Sequence, residues 1–179
     1  MPSLTLLPLR TCAPPAAYAA DTDLANLATA ELLLTATARL FVLPWRGGDG
    51  PHPDWRGGWI AAGIDDAGIA AFGNLFGIVA TVYMRPLDIR EHACPCLGSD
   101  EGCLLQLVSL IQHERVGDAQ AILASWIPPA AVRMAMPRAR DLAAAMARRS
   151  LTVPLRHAEA ATPPRLTHMH ADPGLVLVQ

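Results

Sequence analysis

Apolar positions recur at helical spacing through most of this chain. From Thr22 to Leu43, Leu24, Leu27, Leu32, Leu34, Ala38 and Phe41 share one broad face. That spacing predicts one or two helices, with Asp21 as N-cap and Asp23 meeting the positive helix end. Pro44 ends the run. Ala67 to Met84 is an uncharged, mostly apolar run of 18 residues, preceded by Ile64-Asp65-Asp66 and stopped by Arg85-Pro86. It predicts a central helix buried on most sides, in which the GxxxG pair Gly73 and Gly77 lets another helix approach closely. The run just reaches membrane-spanning length. Asn74, the small residues near its start and the lack of basic or aromatic flanks read against a span.

The second half repeats the pattern. Ser99 caps a helix with Asp100 and Glu101 in its first turn and Leu104, Leu105, Leu107, Val108 and Ile111 as its buried stripe. Gln112 to Arg115 end it, with Gly117 as the terminating glycine. Asp118 caps the next helix, Ala119 to Ile127, and the two read as an αα-hairpin. Pro128-Pro129 opens a third helix through Met136. Pro137 breaks or kinks it, and Arg138 to Arg149 continues it. Leu87 to Glu91 is a short strand or connector. Leu151 to Leu155 alternates like an edge strand, given Pro154.

The predicted fold is therefore all-α or nearly so: a single-domain bundle of five to six helices with at most a short strand pair. Residues 1–20 read as an extended arm, 21–156 as the helical domain and 157–179 as a tail. The arm hardly resembles a secretory leader, since Leu4 to Leu9 is short, no basic start precedes it and Arg10 interrupts it.

Residues 44–63 differ in kind. They hold three of the four tryptophans, six glycines and Pro44, Pro51 and Pro53. Trp45-Arg46-Gly47-Gly48 recurs as Trp55-Arg56-Gly57-Gly58, followed by Trp59. This predicts a long Trp/Gly/Pro loop of hairpin or Ω type. Its tryptophans either pin it to the core or, with Arg46 and Arg56, grip a partner. The partner-binding candidates are Trp45, Arg46, Trp55, Arg56 and Trp59.

Composition narrows the chemistry. Every one of the 14 basic residues is arginine, so lysine-dependent Schiff bases and P-loops are excluded. A biased, bacterial-like genome accounts for the abundance of Ala, Arg, Pro and Gly. The formal net charge of −2 offers no basic field for nucleic acid. The stretch from Pro128 to Arg156 departs from this balance, with six arginines against one acid. A solvated helical face is the plain account of it.

Three of the four cysteines fall between His92 and Cys103. His92, Cys94, Cys96 and Cys103 are soft ligands of the kind that hold zinc, copper(I) or an iron–sulfur cluster. A helix start beside Cys96 would favour its thiolate. Against this, Cys-Pro-Cys has a stiff centre, unlike the Cys-x2-Cys of zinc knuckles, and Cys103 can simply face the core. His157, His168 and His170 add a weaker tail site. Sequence signatures of enzymes are missing. Asp65-Asp66 and Asp100-Glu101 fit capping better than catalysis, because adjacent helix residues do not face each other. His92 or His113 as a catalytic base is the weakest reading.

The sequence thus leads to a non-enzymatic helical interaction or regulatory protein. It would be cytoplasmic, contact another protein within a larger complex, and need neither nucleic acid nor a membrane span. The alternative is a metal- or thiol-dependent protein centred on His92, Cys94, Cys96 and Cys103.

Overall fold

The computed structural model describes residues 17–19, 21–47 and 51–156. The tail histidines His157, His168 and His170, Cys12 and most of the predicted arm lie outside them. Six α-helices fill the described chain: α1 (Thr29–Val42), α2 (Arg56–Ala61), α3 (Asp66–Val82), α4 (Ser99–Gln112), α5 (Val116–Trp126) and α6 (Pro129–Arg148). No strand forms among the described residues; the nearest thing is one isolated bridge between Asp23 and Cys96. The helical bundle read from the sequence is therefore the fold.

α6, which packs on α3, α4 and α5, is the central element rather than α3; α3 is nonetheless apolar along most of its length. Ile69, Phe72, Leu75, Phe76 and Val79 are buried along it. It packs most extensively on α6, while α4 packs on α5 and α6, and α1 on α2 and α4. Aromatic rings seal one side of α3. Phe72 stacks on Phe76 at 4.6 Å between centroids, and Phe41, Trp55 and Trp59 meet them at 5.3–5.7 Å. Such offset and edge contacts add to what area burial alone contributes. No helix among the described residues is long and apolar enough to cross a membrane.

Several local expectations are revised. The helix approach expected at Gly73 and Gly77 is made instead at Gly68, where an added Cβ would lie 2.5 Å from the Cβ of Ala145 on α6. Gly73 faces the Trp55 ring, and nothing lies within 4 Å of a Cβ at Gly77. The second half of the Trp-Arg-Gly-Gly repeat is helical, forming the start of α2, so the predicted loop is shorter than its composition suggests. α4 is capped at Gly98 rather than Ser99: the Glu101 carboxylate accepts from the Gly98 N–H at 2.7 Å. The turn between α4 and α5 is made by Glu114 at φ 60°, and Gly117 lies inside α5. Pro137 sits within a single α6, on its solvent face, where losing one N–H is tolerated. Leu151 to Leu155 is extended but pairs with no strand. Gln112 and Ser109 hold it instead, through the Val153 N–H at 2.8 Å and the Pro154 carbonyl at 2.9 Å.

Candidate functional site

A buried ionic network forms at the start of α4. Asp100 and Glu101 are both fully buried, and each is matched to an arginine. Arg39, reaching from α1, forms a bidentate pair with Glu101 at 2.7 and 2.8 Å. The same guanidinium donates to the carbonyls of Cys94 at 2.6 Å and Cys96 at 2.8 Å. Glu101 also accepts from the Arg90 N–H at 3.0 Å. Asp100 accepts from Arg85 at 2.6 and 2.8 Å, from the Asp88 N–H at 2.7 Å and from Trp126 Nε1 at 2.8 Å. Burial works to raise the Asp100 pKa, but these donors outweigh it and hold the carboxyl below its usual range. Every lone pair has a donor, the condition under which buried charge is tolerated.

This network fixes the 83–98 connector. Gly98 lies so close to the Asp88 carbonyl that an added Cβ would stand 2.4 Å from its oxygen. The Met84 N–H donates to the Trp126 carbonyl at 2.8 Å, and Arg46 donates to the carbonyl of Ile89. Pinned at both ends, the connector becomes one wall of a groove of about 670 Å³. Tyr83, Leu87 and Ile89 supply that wall, Val42 and Trp45 at the end of α1 the opposite one, and Phe76, Gly77, Val79 and Ala80 of α3 the floor. Trp45 is 61% exposed and Tyr83 54% exposed. Large apolar side chains left open in this way are a mark of interaction surfaces.

The five loop candidates separate. Trp45 and Arg46 line the groove. Trp55 packs on Phe41 and Phe72, with the Arg56 guanidinium 4.5 Å above its ring and paired to exposed Asp54. Trp59 is completely buried, so its candidacy as a partner contact is corrected: it is core. The loop's tryptophans thus divide between pinning and display, and the sequence repeat gave no sign of which would do which.

The thiol site is not assembled. Among the described residues no three or more His, Cys, Asp or Glu side chains are placed to hold a metal. His92, Cys94, Cys96 and Cys103 therefore do not converge, and the three cysteines are free. Their loop instead presents carbonyls to Arg39. The expected thiolate stabilisation is also reversed. Burial, then Cys94, Asp21 and Asp23, push the Cys96 thiol up; burial and Asp100 do the same to Cys103. His113 ends α4 with Nδ1 2.8 Å from the Ser109 carbonyl, an ordinary C-terminal contact.

A third buried acid escaped sequence reading. Glu31 of α1 accepts from Tyr18 Oη at 2.6 Å, from Arg156 at 2.8 and 2.9 Å, and from the Ala28 N–H at 2.6 Å. Burial raises its pKa, yet Arg156, Tyr18 and Ala28 together hold it below the ordinary value. The only advance signal was its position three residues into a helix.

No family model matches this chain, and neither a curated protein nor a solved structure does.

Proposed function

We propose that this chain is a non-enzymatic interaction protein of regulatory type, whose groove takes a hydrophobic segment of another protein within a larger complex. The observation that carries the reading is the apolar groove between α1, α3 and the connector, with Trp45 and Tyr83 exposed on its rims. Aromatic side chains that are rigid and half-exposed are the usual anchors of protein interfaces. Among the described residues its lining holds no His, Cys, Asp or Glu, and Arg46 is engaged with a backbone carbonyl. Three free thiols suit a reducing compartment, in keeping with a cytoplasmic location.

Gly77 supplies the test. A side chain there has open space, so Gly77→Leu would enter the groove without disturbing the helix. Synthetic peptides with Leu and Phe at helical spacing should shift Trp45 fluorescence on binding, and polar scrambled peptides should not. Gly77→Leu should weaken binding about tenfold, the scale of one obstructed hot spot. Equal binding by wild type and Gly77→Leu would overturn the reading, as would capture of a small metabolite in place of any peptide.

A further inference from the structure

We propose that the solvent face of α6 is a second docking surface, one that takes an acidic segment of a partner protein. It is independent of the groove and lies on a different element.

The described chain contains twelve arginines. Ten of them donate to a carboxylate or a backbone carbonyl, from the buried pair of Arg39 down to exposed pairs such as Arg115 with Asp118 at 2.5 Å. Arg133 and Arg140 alone make no ion pair or hydrogen bond among the described residues. They are not scattered. Seven residues apart on one helix, they project from the same face, about 10 Å from one another along the axis. Arg148 lies about 12 Å further along the axis, turned about 80° around the helix, where it is tied to Asp65 at 3.0 Å by a pair exposed on both sides. Such a pair contributes little and exchanges readily for another carboxylate.

The local sequence explains why these two cations stay open. A solvated helix usually matches an arginine with an acid three or four residues away. Arg138 has Asp141 in that position, at 3.3 Å. Arg133 has Pro129, Ala130, Met136 and Pro137 at those spacings, and Arg140 has Met136, Pro137, Ala143 and Ala144. Among the described residues neither helix geometry nor the fold supplies a counter-charge. Ala130, Pro137 and Ala144 are exposed between and beside them, so the floor around the guanidinium groups is low and a second chain can come near.

Charge complementarity selects the occupant. Guanidinium forks bind carboxylates bidentately, and two of them at fixed spacing read two carboxylates at matching spacing. Nucleic acid is disfavoured because the chain is net −2, Asp141 lies within the stripe and no aromatic side chain accompanies the arginines. A membrane surface is disfavoured because Met134 is the one large apolar side chain exposed on α6 among the described residues.

The test uses the full chain and a fluorescein-labelled helical peptide with glutamates about seven residues apart, beside its glutamine counterpart. Fluorescence anisotropy should show binding of the glutamate peptide only, weakening several-fold between about 20 and 200 mM salt. Arg133→Glu with Arg140→Glu should reduce affinity about tenfold or more, and the milder Arg133→Gln with Arg140→Gln should follow in direction. Arg115→Glu, which alters the same charge on α5, should leave binding unchanged. Equal binding of both peptides, or loss equal in Arg115→Glu, would overturn the proposal. Displacement of the peptide by a short DNA duplex at lower concentration would do so too, marking the face as a phosphate-binding one.

Discussion

A Cβ placed on Gly68 would stand 2.5 Å from the Cβ of Ala145 and 2.7 Å from Ile64 Cγ2. That contact sets how closely α3 lies on α6, the most extensive helix interface among the described residues. Gly68→Leu should therefore destabilise by overpacking, by about 1–3 kcal/mol. Gly77→Ala, with nothing within 4 Å of the added Cβ, should gain up to about 1 kcal/mol from helix propensity. Urea melts of the two variants check this; equal midpoints would contradict it.

The Arg39–Glu101 pair is buried at both ends, with side-chain exposures of 2% and 0%. Glu101→Ala would strand a guanidinium in the core and free two backbone N–H groups. The expected loss is about 3–5 kcal/mol, with part of it restored by combining Arg39→Met with Glu101→Leu. Hydrogen exchange should quicken first across residues 85–98. A loss below about 1 kcal/mol in Glu101→Ala would show that the network contributes little.

The architecture was legible because helix periodicity and proline stops are local signals. α3 and the α4–α5 pair stand within a few residues of where apolar spacing puts them. The close-packed glycine was not legible. Gly68 looks like a helix-start residue, and what matters at it is Ala145, far away in sequence. The cysteine loop misled for a related reason: ligand-like residues were counted, while the buried acids that organise the loop looked like helix caps. Glu101 does cap α4, at the Gly98 N–H. The role of both acids in the loop depends on Arg39 and Arg85, which spacing along the chain cannot pair with them.

Acid should weaken the fold through Asp100 and Glu31. Each has a folded pKa below its ordinary value. As pH falls, the unfolded chain takes up those protons first, so the stability they contribute is complete above the unfolded pKa of about 4 and fades as pH drops through the folded values. Melting temperature should be level above about pH 5 and fall steeply below about pH 4, with a shallower fall in Glu31→Gln. A decline centred near neutrality would point to other groups.

Cys96 and Cys103 should react slowly with thiol reagents at neutral pH, because burial favours their protonated forms. Labelling should accelerate as pH rises past about 9. Protein purified without a histidine tag should carry less than stoichiometric metal. Bound zinc, lost in Cys94→Ser and Cys96→Ser, would restore the metal reading.

Trp45 and Trp59 should behave as opposites in solution. With exposures of 61% and 0%, a variant keeping only Trp45 should be red-shifted and fully quenched by acrylamide, and one keeping only Trp59 should resist quenching. Similar quenching of both would mean that the groove rim is covered.

Tyr18 and Arg156 grip the same carboxylate, and the Arg156 guanidinium lies 5.2 Å above the Tyr18 ring. Two points separated by nearly the whole domain in sequence are thus neighbours in space. From Tyr18 to Arg156 the chain is close to a closed loop, with Glu31 as its clasp. A short linker from Arg156 to Tyr18 could replace that clasp covalently, and new ends could then be cut in the exposed segment before α2, giving a circular permutant with the same core.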